Sequence, residues 1–249
     1  MKLTILFLLI TFPQITFAES DLPPCTIKMV VGTKCIYSIE KLHPTQPEVG
    51  QYQIEQKVKE FKALSDKKIE AVIEKKIVPV VIGPEGKLYL IDHHHNSLAL
   101  LETGHPEVHV IVKENWSTLD LQSFWDKMNS NQYSFLKKAD GTLLNPLSPA
   151  FPQTLRECGD NPYRSLVWIL TEKGILKEGD IPYYEFYISD ILKEKGLEIP
   201  SGKMKKSEIS KYIKKATKIL EENDVKGFVK TVVKEGPSCN IHQLLRNFK

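Results

Sequence analysis

The sequence predicts an α+β fold in which a small mixed sheet with flanking helices is followed by a mostly helical C-terminal half. Three observations carry this. Residues 77–82 form a nearly all-apolar, β-branched run; Gly83-Pro84-Glu85-Gly86 separates it from the alternating residues 87–92, the pattern of strand, tight turn and strand. Ile54, Val58, Phe61 and Leu64 recur at spacings of four and three, the stripe of an amphipathic helix. Beyond Asp160 one helical pattern follows another.

The chain begins with Lys2, an apolar run over residues 3–12, Pro13, and Thr16-Phe17-Ala18 ending on a small side chain. This is the composition of a secretory signal peptide cleaved near Ala18. The apolar run is too short for a bilayer core, which takes about 20 residues, and no later stretch reaches that length. The expected product is a soluble periplasmic or secreted protein without a transmembrane span. All four cysteines, Cys25, Cys35, Cys158 and Cys239, follow the cleavage point. An even count in an oxidising compartment favours disulfides. Three pairings exist; the local one joins Cys25 to Cys35 and leaves Cys158 for Cys239.

Hydrophobic residues at 41% and charged residues at 26% exclude wholesale disorder. Net charge is +3, but residues 203–249 alone carry twelve Lys/Arg against five Asp/Glu. Lys-rich helical faces are ordinarily solvated, so this basic end does not by itself indicate nucleic acid. The expected layout is a signal peptide at 1–18, an α/β domain at 19–140, and a helical region at 141–249 packed on it.

In chain order, residues 26–32 and 35–39 read as short strands that pair as a hairpin or an edge. Pro44 and Pro47 break periodicity and give an ordered loop to Gly50. The Ile54 stripe and a second at Ile69, Val72 and Ile73 give two helices. After the strand–turn–strand unit, Leu98, Leu100 and Leu101 give a short helix that Gly104 stops, and residues 108–112 a strand. Ser117 or Thr118 caps a helix through Leu121, Phe124, Trp125 and Met128. A proline-rich connection reaches Pro152. Asp160-Asn161-Pro162 then starts a helix through Tyr163, Leu166, Val167 and Leu170, and further helices are expected at residues 183–195, 205–222 and 226–234.

Asp92-His93-His94-His95-Asn96 lies where a strand gives way to a helix, a place whose free amides and dipole favour anions. One carboxylate and three imidazoles there suit proton transfer near neutral pH or metal ligation, provided they converge. Trp116, closing the next strand, would then wall the pocket or anchor the core.

Residues 78–95, followed by Leu98-Ala99-Leu100, resemble the core of the ParB/sulfiredoxin superfamily. Pro44-Thr45-Gln46-Pro47-Glu48-Val49-Gly50 resembles its first box. Asp160-Asn161-Pro162-Tyr163-Arg164-Ser165-Leu166 and Tyr184-Glu185-Phe186 resemble the later signature of the branch described as ParB-like nucleases. The resemblance spans about residues 36–195. It implies Glu48, Asp92 and His95 as catalytic residues, with a carboxylate as base or metal ligand and His95 as proton donor or phosphate partner. It implies His93, His94, Asn96 and Arg164 as substrate-binding residues, and nucleic acid or another phosphate-bearing ligand as partner. The cofactor stays open, a divalent metal being one choice, and oligomeric state is not written in the sequence.

The sequence also departs from that pattern. His93 stands where relatives commonly carry glycine and Asn96 where they carry arginine, which removes a bidentate phosphate clamp. Arg164 is positioned in the later motif to restore a positive charge. His94 stands at the position of the sulfiredoxin nucleophilic cysteine, which argues against sulfinic acid reduction. Export argues against activities that consume cytosolic nucleotide, and no helix-turn-helix reader accompanies the domain. The alternative to a nuclease is a non-catalytic binding or effector protein that keeps the fold.

Overall fold

The computed structural model describes residues 22–177, 182–200, 202 and 204–223. The expected signal peptide, Cys239 and the helix expected at 226–234 lie outside the described residues. In chain order the elements are β1 (Lys34–Ser38), β2 (Leu42–His43), β3 (Glu48–Val49), α1 (Gln51–Lys62), α2 (Asp66–Lys75), β4 (Val78–Ile82), β5 (Leu88–Leu90), α3 (His94–Glu102), β6 (Glu107–Asn115), α4 (Leu121–Ser130), β7 (Gly159–Asp160), α5 (Pro162–Glu172), α6 (Tyr184–Glu194) and α7 (Lys206–Glu222). Among them no helix is long and apolar enough to cross a membrane.

Five strands form a mixed sheet in the order β1-β6-β4-β5-β2, and β3 pairs with β7 in a separate parallel ribbon. Strand β4 runs parallel to β6 and antiparallel to β5. Its side chains alternate between two cores, as a pleated strand covered on both faces requires. Val78, Val80 and Ile82, with Leu88 and Leu90 of β5, enter the core shared with Ile54, Phe61, Ile69 and Leu98 of α1, α2 and α3. Val81 and Tyr89 face the other way, into an aromatic cluster with Trp116, Phe124, Trp125 and Phe151. Gly83 turns the chain against that cluster. A β-carbon there would lie 2.6 Å from Tyr89 and 2.8 Å from Phe124, so only glycine fits.

Helices α5, α6 and α7 bury Leu166, Leu170, Ile188, Leu192 and Tyr212 in a third core, against which Tyr52 of α1 packs. The connection between α4 and β7 is irregular, but it packs against both cores of the α/β half. Leu144 and Phe151 join the aromatic cluster, and Leu155 and Cys158 the core beneath α1 and α3. Residues on both sides of position 140, Leu136 and Leu144, pack on the aromatic cluster.

The strand expected over residues 26–32 is absent. That segment is a pair of turns tied down by the Cys25–Cys35 disulfide and by the Asn115 amide, which donates to the Ile27 and Met29 carbonyls at 3.0 Å each. Its β-branched residues Val30 and Val31 are exposed instead of paired. Residues 34–38 do form the expected edge strand, β1, antiparallel to β6.

Candidate functional site

Strand β5 ends at Leu90 and helix α3 begins at His94, leaving three residues, Ile91, Asp92 and His93, to reverse direction. His93 accomplishes this in the left-handed region, at φ 66°. Glycine adopts that conformation freely, whereas other residues incur strain there. His93 bears that strain and brings an imidazole to the turn. Asp92 stabilises the turn: its Oδ1 accepts from the His93 amide at 2.6 Å, while Oδ2 lies 3.9 Å from His93 Nδ1. The Asp92 carboxylate is 71% exposed and the His93 ring 23%. Burial lowers the His93 pKa, Asp92 opposes that shift, and Lys76 and Lys57 reinforce it.

His94 and His95 have other surroundings. Both are buried, and each ring carries an acceptor nitrogen turned toward the first box. The Gly50 amide donates to His95 Nε2 at 2.9 Å, and the Thr45 amide approaches His94 Nε2 at 3.4 Å. Burial, with Arg164 adding to it, lowers the His94 pKa to about 3 and the His95 pKa well below its ordinary value. A neutral His95 that accepts at Nε2 carries its proton on Nδ1. Such a ring can donate a hydrogen bond but has no acidic proton to release near pH 7.

Asp92, His93, His94, His95, Asn96 and Arg164 all line one cleft of about 640 Å³. Glu48 is not among its lining residues. Its carboxylate is buried, accepts from the Ala139 amide at 2.6 Å, and is raised in pKa by burial. The structure thus brings Asp92 together with the three histidines and Arg164, while Glu48 anchors the long connection between α4 and β7. Arg164, on the first turn of α5, is buried; its Nη1 meets Glu185 Oε2 at 2.9 Å and its guanidinium lies 4.2 Å from the Phe186 ring centroid. Asn161 caps that turn, its Oδ1 accepting from the Arg164 amide at 3.2 Å.

The same cleft receives Lys57 from α1, Lys76 after α2 and Lys113 from β6. Sequence reasoning passed over these cations, because an isolated lysine looks the same whether it faces solvent or a ligand. Trp116 lies in the aromatic cluster, as a core anchor. Among the described residues no three His, Cys, Asp or Glu side chains gather as a metal-ligating group. The carboxylates that line the cleft, Asp92, Glu172 and Glu185, are the side chains on which a hard divalent cation would draw there.

Comparison with known proteins agrees with this architecture. The family model described as "Putative ParB-like nuclease" matches residues 35–194, well over half of the chain. No curated protein matches. Among solved structures, protein Atu1540 from Agrobacterium tumefaciens is 29% identical, with 75% of this chain and 90% of that one covered at a TM-score of 0.61. The C-terminally truncated chromosome-partitioning protein ParB from Caulobacter crescentus, complexed with CTP-gamma-S, is 13% identical, with 87% and 99% of the two chains covered. Its TM-score of 0.25 is too low to bear on this site. The strand, turn and histidine-bearing helix around the cleft lie inside the matched span, and the chain belongs to the ParB-like nuclease family.

Proposed function

We propose that this protein is an exported nuclease that hydrolyses a phosphodiester in the cleft at the N-terminus of α3. The observation that carries the reading is the Asp92–His93 turn, an exposed carboxylate beside a half-buried imidazole in a cleft lined by Arg164 and three lysines. Burial favours the neutral form of His93, the form that can take a proton from water. Asp92 would stabilise the imidazolium that results. The water oxygen then bonds to phosphorus, the ester P–O bond breaks, and the leaving oxygen takes a proton from His93 or solvent. The His95 Nδ1–H, Arg164 and the free amides at the start of α3 supply donors for the non-bridging oxygens.

Export is part of the same proposal. The leader pattern at residues 1–18 and the Cys25–Cys35 disulfide both support it. The α/β region at 19–140 would bear the turn, and the helical region at 141–249 would supply Arg164.

A second reading, a binding protein without catalysis, is favoured by one observation: Glu48, an acid of the first box, points at the Ala139 amide. Purified protein incubated with single- and double-stranded DNA and RNA, with magnesium, manganese or chelator, separates the two. Cleavage that falls by about 100-fold or more in both Asp92→Asn and His93→Gln supports the nuclease. Binding without cleavage, or cleavage unaffected by both substitutions, rejects it.

A further inference from the structure

Helix α1 presents two adjacent stripes to two adjacent hollows. Gln53 and Lys57 line the cleft, whereas Tyr52 and Gln56, one residue earlier in each turn, line a second groove of about 580 Å³. Ile169 of α5, Lys173 just after it, and Lys206 and Ile209 of α7 complete that groove. Trp168 and Glu172 belong to both hollows, so they form the ridge between them. Trp168 is partly exposed, unlike Trp116 and Trp125, which are buried in the aromatic cluster. Lys173 and Lys206 are exposed at the groove's edge.

The ridge joins the Trp168 ring to the acidic Glu172, and beyond it an apolar wall carries Lys173 and Lys206 at its edges, which suits a ligand that offers a flat apolar face to the tryptophan and negative charge to the lysines. Single-stranded nucleic acid offers both at every nucleotide. A duplex keeps its bases stacked inward and offers this wall only phosphates. We infer that a single strand passes from the cleft over Trp168 into the α1–α5–α7 groove, with a base stacked on Trp168 and phosphates meeting Lys173 and Lys206. This rests on the phosphodiester reading of the cleft and names its substrate as a single strand longer than the cleft alone can hold.

The test is fluorescence anisotropy on the purified protein with labelled oligothymidylates of about 4 and about 12 nucleotides, and with a duplex of the longer length, at one fixed salt concentration. The longer strand should bind about ten-fold tighter than the shorter. Trp168→Ala and the double variant Lys173→Glu/Lys206→Glu should each remove most of that gain, while Trp168→Phe, which keeps a stacking ring, retains it. The double variant alters only exposed side chains, so a folding defect in Trp168→Ala does not blur the result. No gain with length, a gain that survives in the double variant, or duplex binding as tight as that of the longer strand overturns the inference. Hydrolysis of bis(p-nitrophenyl) phosphate by the unaltered protein reads the cleft alone. A length gain without that hydrolysis defeats the nuclease reading and spares the track; hydrolysis without a length gain does the reverse.

Discussion

The Gly50 amide donates to His95 Nε2 across forty-five residues of sequence, and both partners are buried. Removing the imidazole would leave a buried amide without its acceptor, at a cost of about 1–3 kcal/mol. His95→Ala should therefore lower the thermal midpoint, and His95→Gln, which keeps an acceptor on a side chain of similar reach, should recover part of the loss. Melting curves for the three proteins check this. A midpoint unchanged in His95→Ala would mean that the bond contributes little.

The same burial makes stability depend on acidity. The pKa values of His94 and His95 are depressed in the folded state relative to about 6.5 in the unfolded chain. Below about pH 6.5 the unfolded chain takes up protons that the folded one refuses. Stability is then fully present above that pH and falls as pH drops toward the folded value, about 3 for His94. The slope approaches about 1.4 kcal/mol per pH unit for each histidine. Glu48 works in the opposite sense, because burial raises its pKa, but its window opens from the ordinary carboxylate range just above 4.5. Urea midpoints at about pH 7.5 and 5.5 should differ, with the lower pH less stable. Equal midpoints would contradict the burial of these rings.

Glu185 competes with any phosphate for Arg164. With the 2.9 Å ion pair intact, part of the guanidinium's charge is spoken for. Glu185→Gln should raise affinity for an anionic ligand several-fold, and Arg164→Ala should lower it by about ten-fold or more. Calorimetry with a dinucleotide would measure both. Glu185 is more exposed than Arg164, so the first variant should retain its fold despite a weaker partner for the buried cation.

The Cys25–Cys35 disulfide closes a loop of ten residues' separation and places Cys35 fully inside the core. Loops of this size contribute roughly 2–3 kcal/mol. Cys25→Ser should lower stability by that amount, and a reducing agent should have the same effect on the unaltered protein but none on the variant. Denaturation with and without reductant distinguishes this from a general effect on the thiols. Cys158, whose pKa burial raises to about 12, should react slowly with alkylating agents while the protein is folded.

Legibility in the sequence followed the range of the interactions involved. Strand β4 could be read from its β-branched run and β5 from its alternation after the Gly83–Gly86 turn, although the two cores to which Val80 and Val81 go are not visible in residue type. Helices α1, α5 and α7 could be read from their apolar spacing and, for α5, from the Asn161-Pro162 start. The turns at residues 26–31 could not be, because the disulfide and Asn115 that hold them lie outside any local window. The Asp92–His95 run announced the cleft that all three histidines line, yet that the Thr45 and Gly50 amides reach the Nε2 atoms of His94 and His95 lies outside any local window. Glu48 was named through the resemblance to the first box, and nothing near it in sequence reveals that its carboxylate meets the Ala139 amide.

The short ribbon of β3 and β7 has a mechanical meaning. Gly159 donates to the Pro47 carbonyl at 2.9 Å, Asn161 to the Val49 carbonyl at 2.7 Å, and the Gln51 amide to Asp160 Oδ1 at 3.0 Å. Together these bonds button the start of α5 to the start of α1, independently of the largely exposed stretch at residues 140–150 that links them covalently. A protease that nicked that stretch would break the chain without parting the molecule, so Arg164 would stay opposite the histidine turn when its peptide connection to it was gone.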